Sequence, residues 1–142
     1  MLRIAVIDGQ GGGIGSLIVK RLREEFAETV EIIALGTNST ATTQMMKAKA
    51  NKGATGENAI IYNSQRVDLI IGTMSIIIGN GMLGELTPEM ATAISAAGCP
   101  KFLLPLNQEQ VHIAGVKKEP LPHLVEELIS MVKEYKKEIE KI

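Results

Sequence analysis

Apolar residues in this chain fall into short unbroken runs that alternate with segments of helical spacing. Leu2-Arg3-Ile4-Ala5-Val6-Ile7 is a short apolar run followed at once by glycines, which predicts a buried strand. Ile14, Leu17, Ile18, Leu22 and Phe26 then recur at helical intervals, with Lys20, Arg21, Arg23, Glu24 and Glu25 between them. That is the stripe of an amphipathic helix laid on a sheet. Val30 to Leu35 predicts a second strand, ended by Gly36. Thr40 to Ala50 predicts a helix capped by Ser39 or Thr40. Gly53 and Gly56 break the chain. Glu57 to Gln65 predicts a short helix capped by Thr55, with a strand over Asn58 to Tyr62 as the alternative. Val67 to Thr73 is the third strand.

Thr87-Pro88-Glu89 reads as a helix start, with a cap, a proline at the first position and an acid in the first turn. Gly98 and Pro100 stop that helix. Lys101 to Leu106 is the fourth predicted strand. Val111 to Val116 is a candidate fifth, hairpin-paired through Asn107-Gln108-Glu109-Gln110. A last helix starts near Pro120, with Leu121, Leu124, Val125, Leu128, Val132, Tyr135 and Ile139 on one face. Strands and helices alternate, and the strands are apolar on both faces. The expected fold is a three-layer, Rossmann-like α/β domain spanning residues 1–142. Its mostly parallel sheet has four or five strands with helices on both sides. Such sheets bind ligands outside the carboxyl ends of their strands.

Composition narrows the function classes. Fifteen Lys+Arg against sixteen Asp+Glu leave a net charge of −1, so nothing points to nucleic acid or an anionic membrane. Aromatics are 3% with no Trp, which gives no base-stacking platform. The one cysteine, Cys99, builds neither an internal disulfide nor a cysteine zinc site. The apolar run before Asp8 is too short for a secretory signal, and no run approaches the ~20 residues of a membrane span. A cytoplasmic location is expected.

The strongest chemical signal is Asp8-Gly9-Gln10-Gly11-Gly12-Gly13-Ile14-Gly15, between the first strand and the first helix. Glycines allow a tight turn and leave room for a phosphate, and the helix start offers free N–H groups and a positive dipole end. Five glycines within residues 9–15 exceed what a turn needs and cost backbone entropy. The spacing Gly9-x-x-x-Gly13-Ile14-Gly15 resembles the short-chain dehydrogenase fingerprint. Counted from Gly9 and Gly11, the G-x-G-x-x-G register places Ile14 where its third glycine should be. No Walker lysine follows. The dehydrogenase Tyr-x-x-x-Lys pair is also missing. No acid stands at the end of the second strand to hold an NAD ribose, whereas Thr37 and Asn38 are neutral donors compatible with NADP. Asp8 either caps the loop or holds Mg²⁺ beside a phosphate.

Other polar loops should converge on the same edge: Thr37 and Asn38, Thr55, Gly56 and Asn58, Thr73, and Asn107 after the fourth strand. Loops are rich in such residues for turn geometry alone, so a shared polar cleft is an expectation. Ser75 to Leu86 is too apolar for a solvated loop. It reads as a kinked helix, a cover over the cleft or a homodimer contact. His112, His123 and Cys99 have no partners that make a catalytic set.

These segments, with Ala34-Leu35-Gly36-Thr37-Asn38, Gly53 to Ala59, Met82 to Thr87 and Glu119 to Leu124, resemble a bacterial family of small Rossmann-like proteins grouped as a domain of unknown function. The resemblance spans nearly the whole chain and implies no activity. A fainter one is to methylglyoxal synthase, which works with aspartates; Glu57 and Asn58 stand at the corresponding glycine turn here, so its catalysis does not carry over. The residues themselves suggest binding of a nucleotide or other small phosphorylated ligand. The alternatives are a small NADP-dependent reductase or phosphate-ester lyase, and a dimeric interaction module with a purely structural glycine loop.

Overall fold

A computed structural model describes residues 1–141. Five strands, β1 (Leu2–Asp8), β2 (Val30–Gly36), β3 (Lys52–Thr55), β4 (Leu69–Thr73) and β5 (Lys101–Leu104), form one all-parallel sheet in the order β3-β2-β1-β4-β5. The helices between and after them are α1 (Gly13–Phe26), α2 (Ser39–Lys47), α3 (Glu57–Ser64), α4 (Pro88–Ala96) and α5 (Leu121–Glu140). Side chains alternate across a strand, so every inner strand feeds two cores. Ile4, Val6, Ile32, Ala34, Leu69 and Ile71 meet α1, α2 and α5 on one face. Ala5, Ile7, Ile33, Leu35 and Ile70 meet α3 and α4 on the other. This double burial explains why the strands read as continuous apolar runs. The sequence-based expectation of a Rossmann-like α/β domain holds.

The chain runs outward from β1 through β2 to β3, then returns across the sheet to β4 beside β1. The strand order therefore reverses between β1 and β4, and their carboxyl ends, Asp8 and Thr73, flank a topological switch point.

Four local expectations are corrected. Lys52–Thr55, read as a chain break, is the edge strand β3, paired with β2 from Ile33↔Lys52 to Gly36↔Thr55. Its Lys-Gly-Ala-Thr sequence has no apolar alternation, because Lys52, Gly53 and Thr55 are exposed and only Ala54 is half-buried. Val111–Val116 forms no strand. Asn107 Oδ1 accepts the Glu109 and Val111 N–H groups, and its Nδ2 donates to the Val111 carbonyl, so groups a hairpin would pair are already spent. The cap of α2 is Asn38, whose Oδ1 accepts the Ala41 N–H, and not Ser39 or Thr40. Over 57–64 the helix is the form adopted; its cap position is Gly56, at φ 99, and not Thr55.

Ser75 to Leu86 is a cover that lies across the carboxyl edge. A single 3₁₀ turn (Met74–Ile77) leads into tight turns closed by a pairing of Gly81 with Leu86. Ile76, Met82 and Leu86 are buried in the core on the α4 side, so this segment packs inward. The face of α5 is as its spacing predicts, with Leu124, Val125, Leu128 and Val132 buried and Ile129 added. No helix among the described residues is long and apolar enough to cross a membrane.

Candidate functional site

Backbone conformation and close contacts assign each loop glycine a separate task. Gln10 at φ 51 and Gly12 at φ 74 turn the chain from β1 into α1. A Cβ on Gly12 would lie 2.7 Å from the Ala41 Cα, so only glycine lets the loop touch the start of α2. A Cβ on Gly15 would lie 2.7 Å from the Asp8 Cβ and 2.8 Å from the Met45 sulfur. Gly15 thus does the close helix–strand packing expected of the third fingerprint glycine. The structural register is Gln10-x-Gly12-x-x-Gly15, one residue later than the register counted from Gly9. A sequence search misses it because a non-glycine residue occupies the first positive-φ position. Gly11 and Gly13 face open space.

Asp8 is a staple across this loop. Its buried carboxylate accepts the Gly9 N–H at 2.8 Å and the Gly15 N–H at 2.6 Å, one on each oxygen. Burial raises its pKa, and the two N–H bonds oppose that rise. Asp8 thus makes the capping contacts that the sequence allowed for. Among the described residues, no group of three or more His, Cys, Asp or Glu side chains is arranged to hold a metal.

Glu85, which the sequence did not single out, reaches into the loop from the cover. Its Oε1 accepts three donors: the Gln10 N–H at 2.8 Å, the Thr37 hydroxyl at 2.7 Å and the Asn38 amide at 2.8 Å. Burial pushes the Glu85 pKa upward, but the bonds from Thr37, Gln10 and Asn38 outweigh it and hold the carboxyl below its ordinary value. The signal that could have found it is an acid inside an otherwise apolar, glycine-rich segment.

A crevice of about 180 Å³ opens at the switch point, lined by Asp8, Gln10, Ile14, Thr73, Ser75, Met82 and Leu106–Gln108. Thr73 lines it and is 7% exposed as a residue, and no side-chain N or O atom among the described residues is both buried and without a partner. A second cavity of about 250 Å³ shares Leu106 and runs under the loop after β5, past Met74, Val111, His112 and Lys117. Asp8, Gln10, Ile14 and Thr73 thus come together, with Gly9, Gly11, Gly12, Gly13 and Gly15 building the adjoining loop. Thr37 and Asn38 adjoin the loop on the β2 side but donate to Glu85. The structure does not bring Thr55, Gly56 and Asn58 into this crevice. The Thr55 hydroxyl bonds that of Thr42, Gly56 hydrogen-bonds β2, and Asn58 is exposed.

The turn that carries Glu85 is unusual in its backbone. Asn80, Met82 and Leu83 all have positive φ, at 66, 56 and 57, and Gly84 follows at 90. Left-handed backbone costs a side-chain-bearing residue ~1 kcal/mol or more. Leu83 is 90% exposed and contributes no packing that would offset this. For the chain as a monomer, Leu83→Gly is therefore expected to raise stability by about 0.5–1 kcal/mol in urea unfolding. A loss of that size instead would show that the Leu83 side chain has a partner.

A family profile described as "Domain of unknown function (DUF3842)" matches residues 3–137. The chain belongs to this family. No curated protein matches it. Among solved structures, this DUF3842 chain is similar to a dodecameric FMN-dependent UbiX-like decarboxylase from Escherichia coli O157:H7, at 16% identity and a TM-score of 0.55. The similarity covers 94% of this chain and 95% of that one. It establishes a shared fold.

Proposed function

We propose that this protein binds a nucleotide of mononucleotide size, or another small phosphorylated metabolite, at the glycine loop on the β1/β4 side. The observation that carries this reading is the set of N–H groups of Gly11, Gly13 and Ile14. None has a protein acceptor among the described residues; Gly13 and Ile14 open α1, Gly11 precedes its cap, and Ile14 lines the crevice. Free N–H groups and the positive helix end attract a phosphoryl group. Thr73 adds a hydroxyl to the crevice lining. The remainder of the ligand would continue into the neighbouring cavity, where Lys117 supplies a cation. Alone, the crevice is smaller than the usual ~300–1,000 Å³ of a ligand pocket; the two cavities share Leu106 in their linings. The structural neighbour described as FMN-dependent brings flavin mononucleotide into the ligand panel. NADP fits less well, because the two donors suited to its 2′-phosphate, Thr37 and Asn38, are held by Glu85.

Thermal unfolding against FMN, AMP, NADPH and sugar phosphates tests the reading. A ligand at ~100 times its dissociation constant stabilises by ~2.7 kcal/mol, or roughly 5–10 °C in a domain of this size. Gly13→Asp supplies the control. Position 13 is open and opens α1, so an acid there suits the helix dipole and leaves folding intact. It is expected to abolish the ligand-induced shift. A shift that survives in Gly13→Asp would move the site away from the loop.

A homodimer contact over Ser75 to Leu86 is the second proposal. It rests on the outward face of the cover, where Leu83 and Ile77 are exposed. Light scattering of wild type against Leu83→Asp decides it: a dimer that the substitution dissociates supports the contact.

A further inference from the structure

We propose that Glu85 is a specificity-determining residue that reserves the β1/β2 half of the carboxyl edge and restricts the glycine loop to ligands carrying one phosphoryl group. This inference rests on the phosphate-binding reading above. Three donors converge on the single Oε1 of Glu85, one from the glycine loop and two from the end of β2. Their chemistry, a backbone N–H, a hydroxyl and an amide, is what an anionic phosphoryl oxygen would recruit. The carboxylate therefore stands where a second phosphoryl group would sit, and takes the donors that group would need.

The carboxylate is held in place from both sides. Met82 and Leu86 are buried on either side of it in sequence, and Gly81 pairs with Leu86 to close the turn. The close approach also explains Gly9. A Cβ there would lie 2.5 Å from the Thr37 hydroxyl, 2.6 Å from the Met82 sulfur and 3.1 Å from Glu85 Oε1. Gly9 thus makes room for the cover, while Gly11 and Gly13 leave space on the side not covered. A diphosphate that spans both halves meets a negative charge and no free donors on the β2 side. A monophosphate confined to the β1/β4 side meets neither obstacle.

Calorimetric titration of wild type, Glu85→Gln and Glu85→Ala with AMP and ADP at fixed ionic strength tests this, with orthophosphate and pyrophosphate as minimal probes. In Glu85→Ala the three donors are released and the charge is gone. ADP is expected to bind at least ~10-fold tighter than in wild type, about 1.4 kcal/mol, while AMP changes by less than roughly threefold. Glu85→Gln keeps an acceptor oxygen over the donors but removes the charge, so the ADP gain should be smaller, about threefold. Equal gains for AMP and ADP in both variants would reduce Glu85 to a general charge effect and overturn the proposal. So would an unchanged ADP-to-AMP ratio. If Glu85→Ala does not fold, the ratio in Glu85→Gln alone decides. Absence of binding by every probe to all three proteins would instead overturn the phosphate-binding reading beneath it.

Discussion

Gly12→Ala is expected to be among the most damaging single-methyl additions to this protein. The position has φ 74, and the new Cβ would sit 2.7 Å from the Ala41 Cα and 3.0 Å from the Ala41 carbonyl oxygen. The left-handed backbone costs ~1–2 kcal/mol with a side chain. Forcing a carbon into backbone adds ~1–3 kcal/mol, since neither α2 nor the loop can move aside cheaply. The sum is a loss of about 2–5 kcal/mol in urea unfolding, a large part of the ~5–15 kcal/mol that holds a domain. Gly11→Ala is the matched control: no atom lies within 4 Å of its Cβ, so its stability should change little. Equal effects at the two positions would show that the loop does not pack on α2 in solution.

The second large effect is expected from Asp8→Ala. Two buried N–H groups, those of Gly9 and Gly15, lose their acceptors. Each unsatisfied donor costs ~1–3 kcal/mol, partly offset because a carboxylate no longer has to be buried, for a net loss of about 2–4 kcal/mol. Asp8→Asn separates these terms. It keeps one acceptor but turns an NH₂ toward the other N–H, so it should fall between wild type and alanine. Asp8 also leaves a pH signature. Its pKa is raised in the folded state, so the folded protein binds the proton first as pH falls. Stability therefore drops as pH rises from ~3.9 through the folded pKa of Asp8, and stays lowered above it. Glu85 acts in the opposite sense, because its folded pKa is lowered. Its contribution is present above ~4.3 and is lost as pH falls through the folded value. The stability difference between wild type and Asp8→Asn, measured from pH 7 to pH 4, should thus move in favour of wild type as acid is added. A difference that is flat with pH would mean that Asp8 is not buried as a charged group.

Much of the frame was legible along the chain because burial imposes a period. Ile4, Val6, Ile32, Ile33 and Ile71 announce strands covered on both faces, and the stripe from Leu121 to Ile139 announces a long helix lying on a sheet. The start of α4 was legible because Thr87 caps locally, its hydroxyl accepting the Met90 N–H. Where neither burial nor a local cap operates, the reading fails. β3 is an exposed edge whose strand character comes from β2, and the loop after β5 is organised by the Asn107 side chain. Of the proposed site residues, the loop itself was visible from its glycines. Which glycine does what was not, because Gln10 takes the left-handed position where glycine is the default.

The sequence alone therefore determined the alternation of elements, the parallel two-faced sheet and the presence of a glycine loop after the first strand. These depend on properties that repeat along the chain or act between near neighbours. Tertiary structure alone decided that Asp8 is a staple, that Gly12 and Gly15 are packing positions, and that Glu85 holds Thr37, Asn38 and Gln10. Those facts join residues up to 75 positions apart, as in the bond from Gln10 to Glu85. No periodicity or local propensity encodes such a contact. It exists because parallel strands return each crossover to the same edge of the sheet.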